Sequence, residues 1–175
     1  MGTWQLVNPP PNVTPISNKW VMVKKYDREG NLQKYKARLV AKGYSQIPGM
    51  HYHDTFAPVV RMETIRVLLA LSVQENWEVQ QMDVKGAFLN GNITEDIYMK
   101  QPEGYDDGTG HLCHLIKSLY GLKQANRAWH CELNKQLVQQ GWQASQMDPC
   151  MYLRRTAAEF EILVIWVDDL LSIKH

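Results

Sequence analysis

The feature that most constrains this chain is an unbroken apolar run, Ile162-Leu-Val-Ile-Trp-Val167, that ends on two adjacent aspartates, Asp168 and Asp169. A short run rich in β-branched residues and without polar alternation reads as a strand covered on both faces. Carboxylates beside so buried an element are costly unless they are paired or bind metal. The fold must therefore cover a central strand twice and give its two terminal charges something to do.

A third carboxylate stands ready. Asp83 lies near the end of another extended segment, Glu78 to Val84, and 85 positions separate it from Asp168. A fold that sets these strands side by side gathers three carboxylates. Hard oxygen donors of this kind hold Mg²⁺ and leave positions for water and phosphate. Two such ions suit an in-line displacement in which a 3′-hydroxyl attacks and pyrophosphate leaves. Aspartate is also favoured in turns, and that alone accounts for a pair of them in a hairpin link.

Hydrophobic periodicity supplies the rest of the layout. Trp20 to Tyr26, a polar turn Asp27-Arg-Glu-Gly-Asn31, and Leu32 to Val40 read as a hairpin. Residues 43–60 carry Gly, Pro and mixed polar residues without a period and read as an ordered connecting loop. Ile65, Leu68, Leu69, Ser72 and Val73 form the stripe of an amphipathic helix over Met62 to Asn76, with one face for a sheet. Ile97 to Lys100 and Leu112 to Leu115 read as short strands around an acidic, Gly-rich loop. A second helix follows from Ala125, Trp129, Leu133 and Leu137, closed by Gly141 in the C′ position. Cys150 to Arg155, Glu161 to Val167 and Leu170 to Lys174 read as the last strands. The expected fold class is α+β: an antiparallel sheet with helices packed on one face.

Bulk numbers narrow the function classes. At 175 residues the chain can bury one sizeable core, expected as one domain that is open to subdivision. Three cysteines without a CxxC pair argue against a disulfide framework and a zinc ribbon, which points to reduced thiols in a cytosolic or nuclear setting. No run approaches the roughly 18 apolar residues of a membrane span, and the start lacks a secretory pattern. Net charge is +1, yet residues 1–44 carry a local excess of +6 and the remainder −5. A basic arm beside an acidic body suits a protein that grips phosphates in one place and cations in another, although a solvated hairpin has the same composition.

Six ordered segments then carry a resemblance. QMDVKGAFLNG (81–91), SLYGLKQANRAW (118–129) and WVDD (166–169) resemble the A, B and C motifs of the reverse transcriptases of copia-type LTR retrotransposons. KYKARLVAKGYSQ (34–46), DTFAPVVR (54–61) and YMKQPEGY (98–105) resemble the same family in the same order. The resemblance implies RNA-directed DNA polymerisation, with a template and primer and deoxynucleoside triphosphates as partners, and Mg²⁺ or alternatively Mn²⁺ as cofactor. It implies fingers over 1–80 and an A, B and C motif region over 81–175 forming a palm that is incomplete, without thumb. Integrase and RNase H would be further domains of a full-length relative, and the intact element would work in a cytoplasmic virus-like particle or reach the nucleus.

By the same resemblance, Asp83 and Asp168 are metal ligands, the Val84 carbonyl completes the site and Asp169 is the supporting carboxylate of the catalytic set. Phe88 lies under the sugar and excludes a 2′-hydroxyl. Tyr120 and Gly121 lie against the incoming nucleotide and templating base, where glycine lets the backbone approach. Lys25 and Arg38 clamp the triphosphate, with Lys36 competing for the role of Arg38. The sequence departs from the family at Asn126, where proline is usual, and at Trp166, where tyrosine is usual. The rival reading is a silent fragment that acts only as a nucleic-acid-binding or interaction module. A generic RNA-recognition sheet would show exposed aromatics along its central strand, and Ile162 to Val167 is mostly aliphatic instead. His51 with His53, and His111 with Cys113 and His114, invite a zinc reading but lack paired ligand spacing. Structural or solvent-facing roles suit them better.

Overall fold

The computed structural model describes residues 2–156 and 159–174. In chain order the strands are β1 (Trp4–Val7), β2 (Asn18–Tyr26), β3 (Leu32–Ala41), β4 (Glu78–Asp83), β5 (Tyr98–Met99), β6 (Leu112–Leu115), β7 (Gln143–Ala144), β8 (Met151–Arg155), β9 (Phe160–Trp166) and β10 (Asp169–Lys174). The helices are α1 (Met62–Gln74) and α2 (Ala125–Gln139). All strand pairs are antiparallel, so the chain is α+β as expected. It divides into two compact units, each discontinuous in sequence: residues 1–55 with 88–129, and residues 56–87 with 130–175.

The first unit holds the β2–β3 hairpin and a three-stranded sheet in the order β1-β6-β5. Its core gathers Ile16, Leu39, Ala41, Ile97, Met99, Cys113, Leu115, Leu119 and Leu122. Cross-strand register sorts the hairpin into two faces, because paired residues point the same way. Lys25 pairs with Lys34, Val23 with Lys36, Val21 with Arg38 and Lys19 with Val40. One face therefore carries Lys19, Lys25, Lys34, Lys36 and Arg38, while Trp20, Leu39 and Ala41 share the other. Five of the eight basic residues behind the excess read from the sequence thus share one face, while Lys24 lies on the other and Arg28 and Lys42 fall outside the strands.

The second unit is built on a five-stranded sheet in the order β4-β10-β9-β8-β7. Strand β9 is buried from Glu161 to Ile165, the two-sided cover its composition demanded. On one face Ile162 and Val164 pack with Leu68 of α1, Ile173 and half-buried Ile65. On the other, Leu163 and Ile165 pack with Tyr152, Trp142 and Leu133 and Leu137 of α2. This corrects the expectation of helices on one face: α1 and the C-terminal half of α2 cover opposite faces. The stripe on α1 is also narrower than expected, since Leu69 is 41% and Val73 85% exposed.

Two polar fittings finish this unit. Buried Asp148 accepts bonds from the Thr64 hydroxyl (2.7 Å), the Arg61 N–H (3.0 Å) and the Cys150 N–H (3.0 Å), which ties a loop to the start of α1. Helix α2 ends with Trp142 N–H bonded to the Leu137 carbonyl and Gly141 N–H to that of Val138. With Gly141 at φ 86°, this is the Schellman stop.

Candidate active site

Strand register brings two of the three expected carboxylates face to face. Asp169 opens β10 directly opposite Asp83, the last residue of β4. The next backbone bond, from the Val84 N–H to the Asp168 carbonyl at 2.8 Å, marks a hydrogen-bonded position. Asp83 and Asp169 thus occupy the closer, non-hydrogen-bonded position, where Cα atoms lie about 4.5 Å apart. Like charges directly opposite each other are destabilising. No cationic side chain relieves them: among the described residues none of Asp83, Asp168 and Asp169 enters an ion pair. The Gln81 amide donates a long bond, 3.4 Å, to Asp169.

The third carboxylate sits in a strained turn. Trp166 pairs with Asp169, so the hairpin link is Val167-Asp168 rather than the Asp168-Asp169 read from the sequence. Val167 adopts φ 57°. A two-residue hairpin loop favours positive φ at its first central residue, which glycine or asparagine meets easily and a β-branched residue does not. Backbone strain of this kind costs about 1–3 kcal/mol and clusters at functional sites. Sequence reasoning missed Val167, though valine and aspartate in a position that calls for Asn-Gly was a visible signal.

The donor set is of hard oxygens at a strand end, which suits a divalent cation. Among the described residues no three His, Cys, Asp or Glu side chains form a group able to hold an ion unaided.

In the first unit, four of the expected nucleotide residues converge. Phe88 meets the Tyr120 ring edge-on at 4.9 Å between centroids. The Arg38 guanidinium lies 5.7 Å from the centre of the same ring. Gly121 turns at φ 91°, its backbone so close to β3 that a Cβ would fall 2.1 Å from the Ala41 carbonyl oxygen. Lys25 is not in this cluster. It shares the basic face with Arg38 but pairs with Lys34, about 13 Å farther along β3 at 3.3 Å per residue. A cavity of about 500 Å³, lined mainly by Trp4, Trp20, Leu39, Leu119 and Tyr120, adjoins Arg38.

His51, His111 and His114 take structural parts. His51 is buried, its Nδ1 accepting from the Ile47 N–H at 2.9 Å and its Nε2 facing the Thr14 carbonyl at 3.2 Å. His111 bonds Asn8, and His114 stacks on Tyr98 and meets Asp96. Asn126 stands at the second position of α2, in the first turn, where proline is also tolerated, so that departure leaves the helix intact.

The sequence makes the class definite: residues 1–174 match the family model described as reverse transcriptase (RNA-dependent DNA polymerase), and the chain belongs to that family. It is 44% identical over 172 residues to the retrovirus-related Pol polyprotein from transposon RE1 of Arabidopsis thaliana, which covers 97% of this chain and 12% of the relative. It is 42% identical over 172 residues to that of transposon RE2 from the same plant, with the same coverage. To the Pol polyprotein from transposon TNT 1-94 of Nicotiana tabacum it is 44% identical over 175 residues, 98% of this chain and 13% of the relative. These relatives are copia-type, and the chain spans about an eighth of their length. No solved structure matches.

Proposed function

We propose that the chain carries the nucleotidyl-transfer residues of an RNA-directed DNA polymerase that works with two divalent ions. The observation that carries this reading is the opposed pair Asp83 and Asp169, with Asp168 beside it and no counter-cation among the described residues. Mg²⁺ bound there would supply the Lewis acid that activates the attacking hydroxyl and neutralises the departing phosphate. Asp83, Asp168 and the Val84 carbonyl would hold it, and Asp169 would support them. In the first unit, Tyr120 and Gly121 give base and sugar a flat, close-approach surface, and Phe88 beneath them stops a 2′-hydroxyl. Arg38 takes triphosphate oxygens as a fork, and Lys25 adds a point charge. The pairing of Lys25 with Lys34 supports this, since like charges opposite each other cost stability until an anion lies between them.

A second reading, a module that binds nucleic acid without catalysis, draws support from the hairpin face that carries Lys19, Lys25, Lys34, Lys36 and Arg38. One experiment separates the two: primer extension on poly-rA primed with oligo-dT, in Mg²⁺, for this chain and its Asp168→Asn, Asp169→Asn variant. Extension by the chain that the variant loses supports the polymerase. Extension by neither, with retained oligonucleotide binding, supports the module.

A further inference from the structure

The tightest polar packing of the first unit surrounds the turn that carries Tyr120 and Gly121. Gln46, His51 and Gln124 are all buried, each 5% exposed or less. The Gln46 side-chain oxygen accepts the Lys123 N–H at 2.7 Å, and its amide donates to the Gln124 Oε1 at 3.0 Å. The Gln124 amide donates in turn to the His51 carbonyl at 2.8 Å and, at longer range, to Glu95 (3.4 Å). His51 holds the loop that supplies this carbonyl, through the Ile47 N–H and the Thr14 carbonyl. On the other side of the turn, the Ala41 N–H donates to the Tyr120 carbonyl at 2.7 Å. Gly43 and Gly121 meet backbone to backbone, a Cβ on Gly43 falling 2.0 Å from the Gly121 oxygen.

Buried amides are an expensive way to fill space. Apolar side chains of similar volume would serve stability as well, whereas a satisfied network fixes one geometry. We infer that Gln46, His51 and Gln124 are positioning residues: their hydrogen bonds set the height of the 120–124 turn on the end of β3, and so hold Tyr120 where Arg38 and Phe88 meet it. The consequence for nucleotide binding rests on the function proposed above. The glutamines touch no substrate in this scheme and act through Tyr120 and Gly121.

The test uses the full chain with dTTP and Mg²⁺, titrated calorimetrically, together with amide hydrogen exchange of the unliganded protein. Gln124→Leu removes all three bonds of the side chain, to Gln46, His51 and Glu95. Gln124→Glu still accepts from Gln46 but cannot donate to His51, and Gln136→Ala on the exposed side of α2 is the control. The dissociation constant for dTTP should rise about tenfold in Gln124→Leu and by a smaller factor in Gln124→Glu. Exchange should quicken at Ala41 and Lys123 and stay unchanged in the five-stranded sheet. Wild-type affinity with wild-type exchange at those two amides overturns the inference, as does faster exchange spread evenly over the whole unit, which marks a merely structural role. Should Gln124→Leu fail to fold, Gln124→Glu decides by the same two readouts. Should no form bind dTTP, the nucleotide reading has failed by itself, and exchange at Ala41 and Lys123 still decides whether the network places the turn.

Discussion

Single residues in this chain divide into those that cost stability and those that supply it. Val167 belongs to the first kind. Val167→Gly relieves strain of about 1–3 kcal/mol and adds about 0.5–1 kcal/mol of unfolded-chain entropy. A net gain of about 1 kcal/mol is expected in urea melts, and a loss of stability would sink the strain account. Asp148 is of the second kind, for Asp148→Ala leaves the Arg61 and Cys150 N–H groups and the Thr64 hydroxyl without their acceptor. A loss of about 3 kcal/mol is expected in the same melts, and a loss under about 1 kcal/mol would mean that water replaces the carboxylate. Asp148 was not legible as anything but a loop aspartate, because its partners at Arg61 and Thr64 lie more than 80 positions away. The strand-end placement of Asp83 and Asp169 was legible from charges that close extended or apolar runs, although both residues are exposed and carry no burial cost.

Elements set by local pattern were the most readable. The β2–β3 hairpin, α1, α2 with its Gly141 stop, and the apolar strand β9 all occur within a few residues of where period and turn chemistry put them. Strand β1 was not read, because four residues with little alternation carry no local signal and its partner β6 begins at Leu112. The expectation that the helices share one face conflicted with another reading of the same sequence, that β9 is covered on both. The covered strand was the better guide, because burial on two sides requires two layers. Glycine substitutions test the local geometry. Gly141→Ala adds a Cβ that meets nothing within 4 Å and should cost about 1 kcal/mol, from its positive φ alone. Gly121→Ala drives a Cβ against Val40 and the Ala41 carbonyl and should cost about 3 kcal/mol or more. Equal melting temperatures for the two variants would refute the close approach of the turn to β3.

The whole molecule should respond to pH at both extremes. The Asp148 carboxyl is desolvated, which alone would raise its pKa, but bonds from Thr64, Arg61 and Cys150 outweigh this and hold it below the usual carboxylate range. Desolvation of Glu161 is likewise outweighed, by Arg154 (2.6 Å) and Lys174 (3.3 Å). Both pKa values are depressed on folding, so their stabilisation is present above the unfolded value near 4 and is lost as pH falls through the folded values. Burial pushes the Cys113 and Cys150 thiols up to about 11 and the Tyr152 phenol to about 12. Their contribution is complete below the unfolded thiol value near 9 and is lost as pH rises toward 11. Melting temperature should therefore plateau between about pH 5 and 8 and fall on both sides. Glu161→Gln should flatten the acid limb, and an unchanged acid limb would remove Glu161 from the account.

Sheet order has one more consequence, for the nascent chain. Among the described residues β4 pairs with β10 alone, so the ribosome makes Asp83 long before the strand that will face it. Until β10 emerges, β4 is an unpaired edge open to other chains, and the carboxylate pair does not yet exist. The opposed carboxylate pair thus forms only once β10 has been made.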